Sequence, residues 1–373
     1  MARRPVDSPL SAPTLVESLE PLAVEKKCRE AIDSETRMVG ETDNAFKRIK
    51  WLRGHLRMRF VDRNEAIDAV LAALISRTGC VLLGPPGTAK SLLVRAIAEG
   101  CQLRTSGDDA NYFEYLLTAH TMPEEIFGPT DVAKLLQENP IVERRTVGRL
   151  PRAEIAFLDE VFRGGSHILN TLLTILNERK YHNGQTTEDV PLIGFIGAAN
   201  TAPNTEDLKA FFDRFPVRIW VKSIFDSSRG DTSLKSATNL LSSHKKAMNI
   251  SSGVLPLGDR PRAADFRYLW ASVIIQLSEP SAQDRRLGEF TKNFHYFQGF
   301  QGFGALSDRA FVQLWYFAAA LDLVRETPLN QPYAGKGRGH LDCFRFVAPT
   351  PEANRDVDYR IQQLQGAAGV SGP

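Results

Sequence analysis

Lys90 and Ser91 are adjacent side chains whose chemistry suits phosphate and a divalent cation. They follow a glycine-containing loop that begins directly after Val81–Leu83, an apolar run that predicts a short buried strand. The pattern of Leu92–Ala98 then indicates a helix. In this order, backbone N–H groups and the positive end of the helix surround the phosphates, the lysine reaches the outer ones, and the hydroxyl holds Mg²⁺. We therefore predict a nucleotide-binding loop made of Gly84, Pro85, Pro86, Gly87, Thr88, Ala89, Lys90, Ser91 and Leu92.

Ala89 departs from the usual pattern of such loops, G-x-x-x-x-G-K-[ST], which has glycine before the lysine. Alanine has the smallest side chain after glycine, so we expect the loop to form with a negative φ at this residue. The alternative is an ordinary strand-loop-helix turn that binds no phosphate.

An acidic pair follows a second buried strand. Ile155–Leu158 is apolar and is followed directly by Asp159 and Glu160. In nucleotide-binding sheets the ligand lies at the carboxyl ends of the strands. There the first carboxylate can hold Mg²⁺, directly or through water, and the second can polarise the attacking water. The alternative for such a pair is a helix N-terminus, where carboxylates complement the helix dipole.

A neutral amide ends another predicted strand, since Pro191–Ala199 is apolar and Asn200 follows it. An amide beside the carboxylate strand can orient a water molecule against the γ-phosphate. The alternative is an asparagine that only caps a turn.

Two arginines complete the set of candidate residues. Arg214 lies in the last turn of a predicted short helix, Leu208–Phe215, just before a predicted strand at Val217–Val221. At the far edge of the sheet it could not easily reach its own loop, but it could reach the nucleotide of a neighbouring subunit, as an arginine finger does. The alternative is a structural pair with Asp213 or a nearby acid. Arg309 follows Ser307-Asp308 and lies in the first turn of a predicted helix.

The composition is that of an ordinary soluble globular protein. The chain has 373 residues, of which 43% are apolar and 24% charged, with a net charge of +2. That charge argues neither for nor against nucleic acid, because a local patch could suffice. Its four cysteines are scattered without a C-x-x-C, so no zinc site is predicted. No apolar run reaches the length of a membrane span, and we expect a cytoplasmic protein.

Taken together, these stretches resemble AAA+ ATPases of the MoxR family, and within it the RavA-like members. The resemblance is close over 62–221 and returns around 307–324. RavA-like loops also carry alanine before the lysine, so Ala89 supports the subgroup. The stretches that carry the resemblance, beyond the loop itself, are Phe113–Thr118, Pro123–Pro129, Leu158–Glu160, Ile168–Leu173 and Asn177–Arg179.

The resemblance assigns a role to each candidate residue. Lys90 and Ser91 match Walker A, while Asp159 and Glu160 match Walker B. The remaining matches are Asn200 at sensor 1, Arg214 at the arginine finger, and Ser307-Asp308-Arg309 at the sensor 2 helix. On this basis Glu160, Asn200, Arg214 and Arg309 are the expected catalytic residues, with Ser91 and Asp159 as the Mg²⁺ ligands.

The family fold implies an α/β nucleotide domain with a parallel sheet flanked by helices, followed by a small helical lid. We expect a polar arm at 1–45, the α/β domain at 46–225, a linker or mobile loop at 226–262, the lid at 263–350 and a tail at 351–373. From the residues, Asp131–Pro151 is expected to form an inserted hairpin, and it corresponds to the helix-2 insert. Tyr181–Val190 corresponds to the hairpin before sensor 1, with a turn at Asn183-Gly184.

The resemblance implies ATP hydrolysis at subunit interfaces of a homo-oligomer, expected to be a hexameric ring, with ATP and Mg²⁺. Arg309 would contact the phosphates within its own subunit, and Arg214 would come from the neighbour. The work would remodel or activate another protein together with a von Willebrand factor A-domain partner. One alternative is a nucleic-acid motor of the MCM-like clade, although the chain carries no zinc motif and little net charge. Another is a nucleotide-gated scaffold with negligible turnover.

Overall fold

The computed structural model describes residues 35–103, 112–137, 140–203, 208, 211–223, 260–278, 280–298, 307–325, 343–347, 357 and 359–361. The chain divides into two units, Met1–Gly40 and Glu41–Pro373, and all that follows concerns the second. The predicted arm and the predicted linker lie largely outside the described residues. The helices are α1 (Glu35–Arg59, which begins in the first unit), α2 (Asn64–Ile75), α3 (Lys90–Gly100), α4 (Pro123–Phe127), α5 (Val132–Leu135), α6 (Ser166–Glu178), α7 (Ala263–Ser278), α8 (Pro280–Gln298) and α9 (Asp308–Val324).

A five-stranded parallel sheet forms the centre of the fold. Its order is β2-β3-β6-β1-β7, so the strand before the phosphate loop lies between the strands that end at Ala199 and Trp220. Four of these strands, all except β2, confirm strands predicted from the sequence. They are β1 (Cys80–Leu83), β2 (Tyr112–Leu116), β3 (Ile155–Asp159), β6 (Gly194–Ala199) and β7 (Val217–Trp220).

Alternate residues of each central strand enter two different hydrophobic clusters. In β1, Leu82 belongs to the cluster that contains α2 and α9, while Val81 belongs to the cluster that contains α6. In β3, Phe157 belongs to the cluster that contains α2 and α9, and Leu158 belongs to the cluster that contains α6. Helices therefore cover both faces of the sheet, which is why its strands read as continuous apolar runs.

The C-terminal helices share one hydrophobic cluster with α1 and α2. Helix α9 packs along α2, and its N-terminus is capped by Ser307, whose Oγ accepts the N–H of Ala310 at 3.3 Å. The predicted helix start at this position is confirmed. Helix α8 falls where the sequence resemblance was weak and was not predicted.

Two predicted hairpins have different outcomes. Strands β4 (Lys180–Asn183) and β5 (Thr186–Asp189) pair antiparallel around Gly184, as predicted. The segment 131–151 doubles back, because Thr130 and Arg144 form an isolated antiparallel bridge. Its described residues contain the one-turn helix α5 and a 3-10 turn at Leu150–Arg152, so a hairpin of two strands was wrong there. Asp131 caps α5 by accepting the N–H of Ala133, and this local bond favours a helix over a strand.

Candidate active site

Glycines set the shape of the phosphate loop at its first turn. Gly84 has a φ of 148°, and a Cβ there would lie 2.2 Å from the carbonyl oxygen of Val221, which follows β7. No other residue fits this close approach of two backbones. Gly87, with a φ of 77°, supplies the second left-handed residue, and Thr88 closes the turn by donating from Oγ1 to the Pro85 carbonyl at 2.9 Å.

Ala89 adopts a left-handed conformation, with φ 65° and ψ 27°. The expectation of a negative φ was therefore wrong. For an alanine this conformation costs about 1–2 kcal/mol, because Cβ approaches the following carbonyl oxygen. The carbonyl of Ala89 accepts the N–H of Leu93 at 3.0 Å, which starts α3 and holds the strained residue from its C-terminal side.

The side chain of Lys90 folds back onto the beginning of the phosphate loop. Its Nζ donates to the carbonyl oxygens of Gly84 at 2.7 Å and Pro85 at 3.0 Å, and to Oδ1 of Asn200 at 3.4 Å. Burial lowers the pKa of Lys90, and the charges of Asp159 and Glu160 oppose that shift. The ammonium group is thus placed between the loop and the acidic strand end.

Ser91 and Asp159 meet as the sequence predicts. The hydroxyl of Ser91 donates to Oδ2 of Asp159 at 2.7 Å, across 68 residues of sequence. Both are hard oxygen ligands of the kind that Mg²⁺ takes, and this ion is usually held by one or two protein groups together with substrate phosphates and water. Among the described residues no cluster of three or more His, Cys, Asp or Glu could hold a metal by itself. This pair therefore fits a shared site for Mg²⁺.

Glu160 is held by two partners at the end of β3. Its Oε1 accepts a hydrogen bond from Nδ2 of Asn200 at 2.7 Å, and its Oε2 lies 3.3 Å from Nε of Arg163. Glu160 also has a φ of 51°, a left-handed conformation that is uncommon for a residue with a side chain. Strain of this kind concentrates at functional sites, where the surroundings fix it. Asn200 connects Glu160 with Lys90 and so joins three of the predicted residues.

A cavity of about 300 Å³ borders the loop on the side of β7. It is lined by the start of α2 and by the end of β7, which also contacts Gly84. Its volume and mixed polar and aromatic lining suit the base and sugar of a nucleotide. Lining residues include Arg63, Asn64, Trp220, Lys222, Arg345 and Phe346.

Arg214 and Arg309 lie close to each other at the amino ends of the strands, opposite the ends that carry the phosphate loop. A Cβ on Gly79, which precedes β1, would lie 2.7 Å from the carbonyl oxygen of Arg214. The loop begins five residues after Gly79, which is roughly 16 Å of extended chain. Arg309 donates from Nη1 to Oδ1 of Asn177 at 2.7 Å, and burial and the charge of Arg214 lower the pKa of Arg309. The structure thus brings these two arginines close to each other at the edge opposite the loop.

Asp213 connects the two arginine segments. Its Oδ2 lies 3.2 Å from Nη1 of Arg214 and accepts a hydrogen bond from Oγ of Ser307 at 2.8 Å. The pairing that the sequence offered as an alternative for Arg214 is therefore present. It leaves the side chain of Arg214 24% exposed.

Arg218, the other arginine near the predicted finger, is enclosed. Its guanidinium donates to the carbonyl oxygens of Phe215 and Val347 and lies 3.9 Å from the ring centre of Phe212. Burial lowers the pKa of Arg218 to about 10. These contacts fix the side chain of Arg218 inside the domain, whereas the side chain of Arg214 keeps partial exposure.

Sequence reasoning missed three residues that contact the predicted ones. Arg163 lies three residues after Glu160, and that spacing after an acidic pair could have pointed to it. Asn177 lies in one of the stretches that carry the family resemblance, which gave it no role, and Arg63 gave no such local signal. They contact Arg309 and Thr88 across 132 and 25 residues, so only the folded chain brings them into place.

The fold is shared with a solved structure of a candidate ATPase from Cytophaga hutchinsonii ATCC 33406. The two chains superpose with a TM-score of 0.60 over 90% of this chain and 98% of that one, at 15% identity. At this identity the likeness concerns the fold alone. With the parallel sheet and the loop at the carboxyl ends of its strands, it shows an α/β P-loop fold with a helical C-terminal part.

Residues 47–252, more than half of the chain, match the family described as the MoxR domain in the MoxR-vWA-beta-propeller ternary systems. The chain belongs to this MoxR family.

Similar sequences occur in an archaeon and in a virus. The chain is 48% identical over 177 residues to uncharacterized protein MJ0079 of Methanocaldococcus jannaschii, and 49% identical over 173 residues to MJ0812 of the same organism. These alignments cover 48% and 46% of this chain and 44% of each relative. Structural protein ORF618 of Acidianus two-tailed virus is 32% identical over 166 residues, which is 44% of this chain and 26% of that protein. The chain thus matches less than half the length of these curated relatives.

No helix in the described part of the chain is long and apolar enough to cross a membrane.

Proposed function

We propose that this chain hydrolyses ATP between subunits of a ring and uses the reaction to remodel or activate a partner protein. The main support for this proposal is that hydrogen bonds connect Lys90 to Asn200 and Asn200 to Glu160. These residues lie beside the Ser91–Asp159 pair, at the carboxyl ends of the strands of one sheet. An ammonium group, a carboxylate and two possible oxygen ligands so close together support phosphoryl transfer from a nucleotide.

In this proposal, different residues of the chain contribute to different parts of phosphoryl transfer. Lys90 neutralises charge on the outer phosphates, and the loop N–H groups hold the remaining oxygens. Ser91 and Asp159 would hold Mg²⁺, which neutralises charge on the phosphate oxygens when bound. Glu160 takes the proton of the attacking water, while Asn200 fixes the position of the Glu160 carboxylate.

Arg214 completes the site of the neighbouring subunit in this proposal. Its place roughly 16 Å from its own loop supports action in trans, and its partial exposure supports access to a second copy. Arg309 lies beside Arg214. Its position therefore favours the neighbour's site over the phosphates of its own subunit, where the sequence resemblance had placed it. Arginine fingers contribute on the order of 10³-fold or more to the rate.

The family description supports a von Willebrand factor A-domain protein as the partner, and it is the basis for that part of the proposal. The RavA-like subgroup, the hexameric ring and the chaperone-like role stay predictions, with Ala89 as the residue that favours the subgroup.

Phosphate release from wild type and from Glu160→Gln tests the proposal. We expect steady release of phosphate from wild type with Mg²⁺ and ATP, and a loss of about 10²-fold or more in the variant. Glu124→Gln is a matched control, because this exposed glutamate pairs with Arg144 and not with a predicted site residue. Equally slow release from wild type and Glu160→Gln would favour a nucleotide-gated scaffold. Salt-dependent stimulation by DNA would instead favour a nucleic-acid motor.

A further inference from the structure

Arg63 lies between the cavity and the phosphate loop and is only 5% exposed. It directly precedes helix α2 and lines the cavity next to Trp220. Its guanidinium donates to the carbonyl oxygen of Thr88 twice, from Nε at 3.3 Å and from Nη2 at 3.2 Å. Nη1 donates to the carbonyl oxygen of Asp62 at 2.9 Å. The planar fork of an arginine is thus directed at one carbonyl of the loop.

That carbonyl belongs to the peptide unit that enters Ala89. The peptide unit that leaves Ala89 is fixed separately, because its carbonyl accepts the N–H of Leu93. The φ and ψ angles of a residue are the rotations between its two flanking peptide planes. With both planes held, Ala89 cannot relax from φ 65° to the negative φ that an alanine prefers.

The same contact orients a backbone donor. In a trans peptide the C=O and N–H groups point in opposite directions. A Thr88 carbonyl that faces Arg63 therefore turns the N–H of Ala89 away from Arg63. In loops of this kind such N–H groups are the ones that cradle phosphate oxygens.

We propose that Arg63 is a positioning residue that holds Ala89 in the left-handed conformation required for phosphate binding. A glycine before the lysine adopts this conformation without steric strain, whereas an alanine needs an external restraint. Arg63 supplies that restraint from the wall of the cavity. The inference rests on the proposed nucleotide site, but not on hydrolysis or on ring assembly.

Binding of the fluorescent analogue mant-ATP with Mg²⁺ to the full chain tests this proposal in three variants compared with wild type. Arg63→Met removes the donors and keeps an apolar stem, and we expect it to weaken binding about five- to thirtyfold, the range that the left-handed preference implies. Ala89→Gly alone is expected to stay within about twofold of wild type. In the double variant the effect of Arg63→Met is expected to fall to about twofold, because glycine reaches positive and negative φ with similar ease.

A purely structural role for Arg63 would give a different pattern. If Arg63→Met weakened binding by the same factor with and without Ala89→Gly, or had no effect, the proposal would be overturned. Arg63→Lys repeats the comparison with a smaller change, since one ammonium group cannot reproduce the fork. If Arg63→Met does not fold, the comparison with Arg63→Lys still tests the positioning role of Arg63.

Two further variants separate this proposal from the nucleotide site itself. Arg145→Met removes an exposed arginine that pairs with Asp131, and it should leave mant-ATP binding unchanged. Lys90→Ala should abolish binding whether or not Arg63 has the proposed role. Intact binding in Lys90→Ala would contradict the nucleotide site. If the effects of Arg63→Met and Ala89→Gly on the binding free energy were additive, only the positioning role of Arg63 would be contradicted.

Discussion

Asn177 accepts a hydrogen bond of 2.7 Å from Nη1 of Arg309 and thereby joins the last turn of α6 to the first turn of α9. Helix α6 begins three residues after Arg163, the ion-pair partner of Glu160, and is 13 residues long. It therefore spans about 20 Å, from the edge that carries the phosphate loop to the edge that carries the two arginines. One rigid helix connects a subunit's own site with the residues proposed to serve the neighbour's site.

Asn177→Ala should lower ATP turnover roughly tenfold at saturating ATP. A hydrogen bond to a charged group contributes about 1.5–3 kcal/mol, and without it the guanidinium of Arg309 is no longer held beside Arg214. Steady-state phosphate release measures this effect. Asn170→Ala on the exposed side of the same helix is the matched control and should be neutral. A loss in Asn177→Ala larger than the loss in Arg309→Ala would contradict the link, because Asn177 would then act through something other than Arg309.

Mixing subunits should show that Arg214 acts in trans. Glu160→Gln and Arg214→Ala are each expected to be inactive alone. A mixed ring contains interfaces in which an intact Glu160 meets an intact Arg214 from the other subunit, so phosphate release should recover to roughly a quarter of wild type or less. Failure to recover, with mixed assembly demonstrated by tagged subunits, would place Arg214 in its own site.

The same approach decides which site Arg309 serves. If both arginines act on the neighbour, a mixture of Arg214→Ala and Arg309→Ala contains no complete interface and should stay inactive. If Arg309 acted within its own subunit, an Arg214→Ala subunit beside an Arg309→Ala subunit would form a complete site. Recovery of phosphate release in this mixture would therefore return Arg309 to its own subunit.

Gly84→Ala should destabilise the fold by several kcal/mol, because the new Cβ would lie 2.2 Å from the carbonyl oxygen of Val221 at a φ of 148°. Gly54→Ala is the contrasting variant. This glycine lies in α1 with nothing within 4 Å of an added Cβ, and the change should stabilise by about 0.5–1 kcal/mol. Urea denaturation of both variants gives the two free energies of unfolding. Similar values for them would show that the backbone approach at Gly84 is looser than described.

Two buried thiols should make stability fall at alkaline pH. Burial raises the pKa of Cys80 and of Cys101 to about 12, and Asp265 adds to the effect at Cys101. From the ordinary pKa near 9 up to about 12, the unfolded chain loses these protons while the folded chain keeps them. Stability therefore declines with rising pH, by at most about 1.4 kcal/mol per pH unit for each thiol.

The double variant Cys80→Ala and Cys101→Ala isolates this contribution. Its free energy of unfolding should change less steeply between pH 9 and pH 10.5 than that of wild type. Parallel curves would mean that the two thiols ionise in the folded chain as they do in the unfolded chain.

The sequence by itself determined the local parts of this protein. The apolar strands, the loop before Lys90, the acidic pair at Asp159 and Glu160 and the hairpin turn at Gly184 each depend on neighbouring residues. Short-range backbone preferences and apolar patterning therefore predict them without reference to any long-range contact. Parallel pairing then brings the strand ends to one edge, so the meeting of Ser91 and Asp159 could also be predicted from the sequence.

Only the tertiary structure decided the conformation of Ala89 and the surroundings of Arg309. A negative φ is the better local choice for alanine, and the left-handed conformation prevails because contacts from Arg63 and Leu93 fix both adjoining peptide planes. Arg309 lies beside Asn177 because α9 packs against α2. Which apolar faces pack together depends on the whole hydrophobic core. A local pattern along the chain shows that a helix has an apolar face, but not which helix that face contacts.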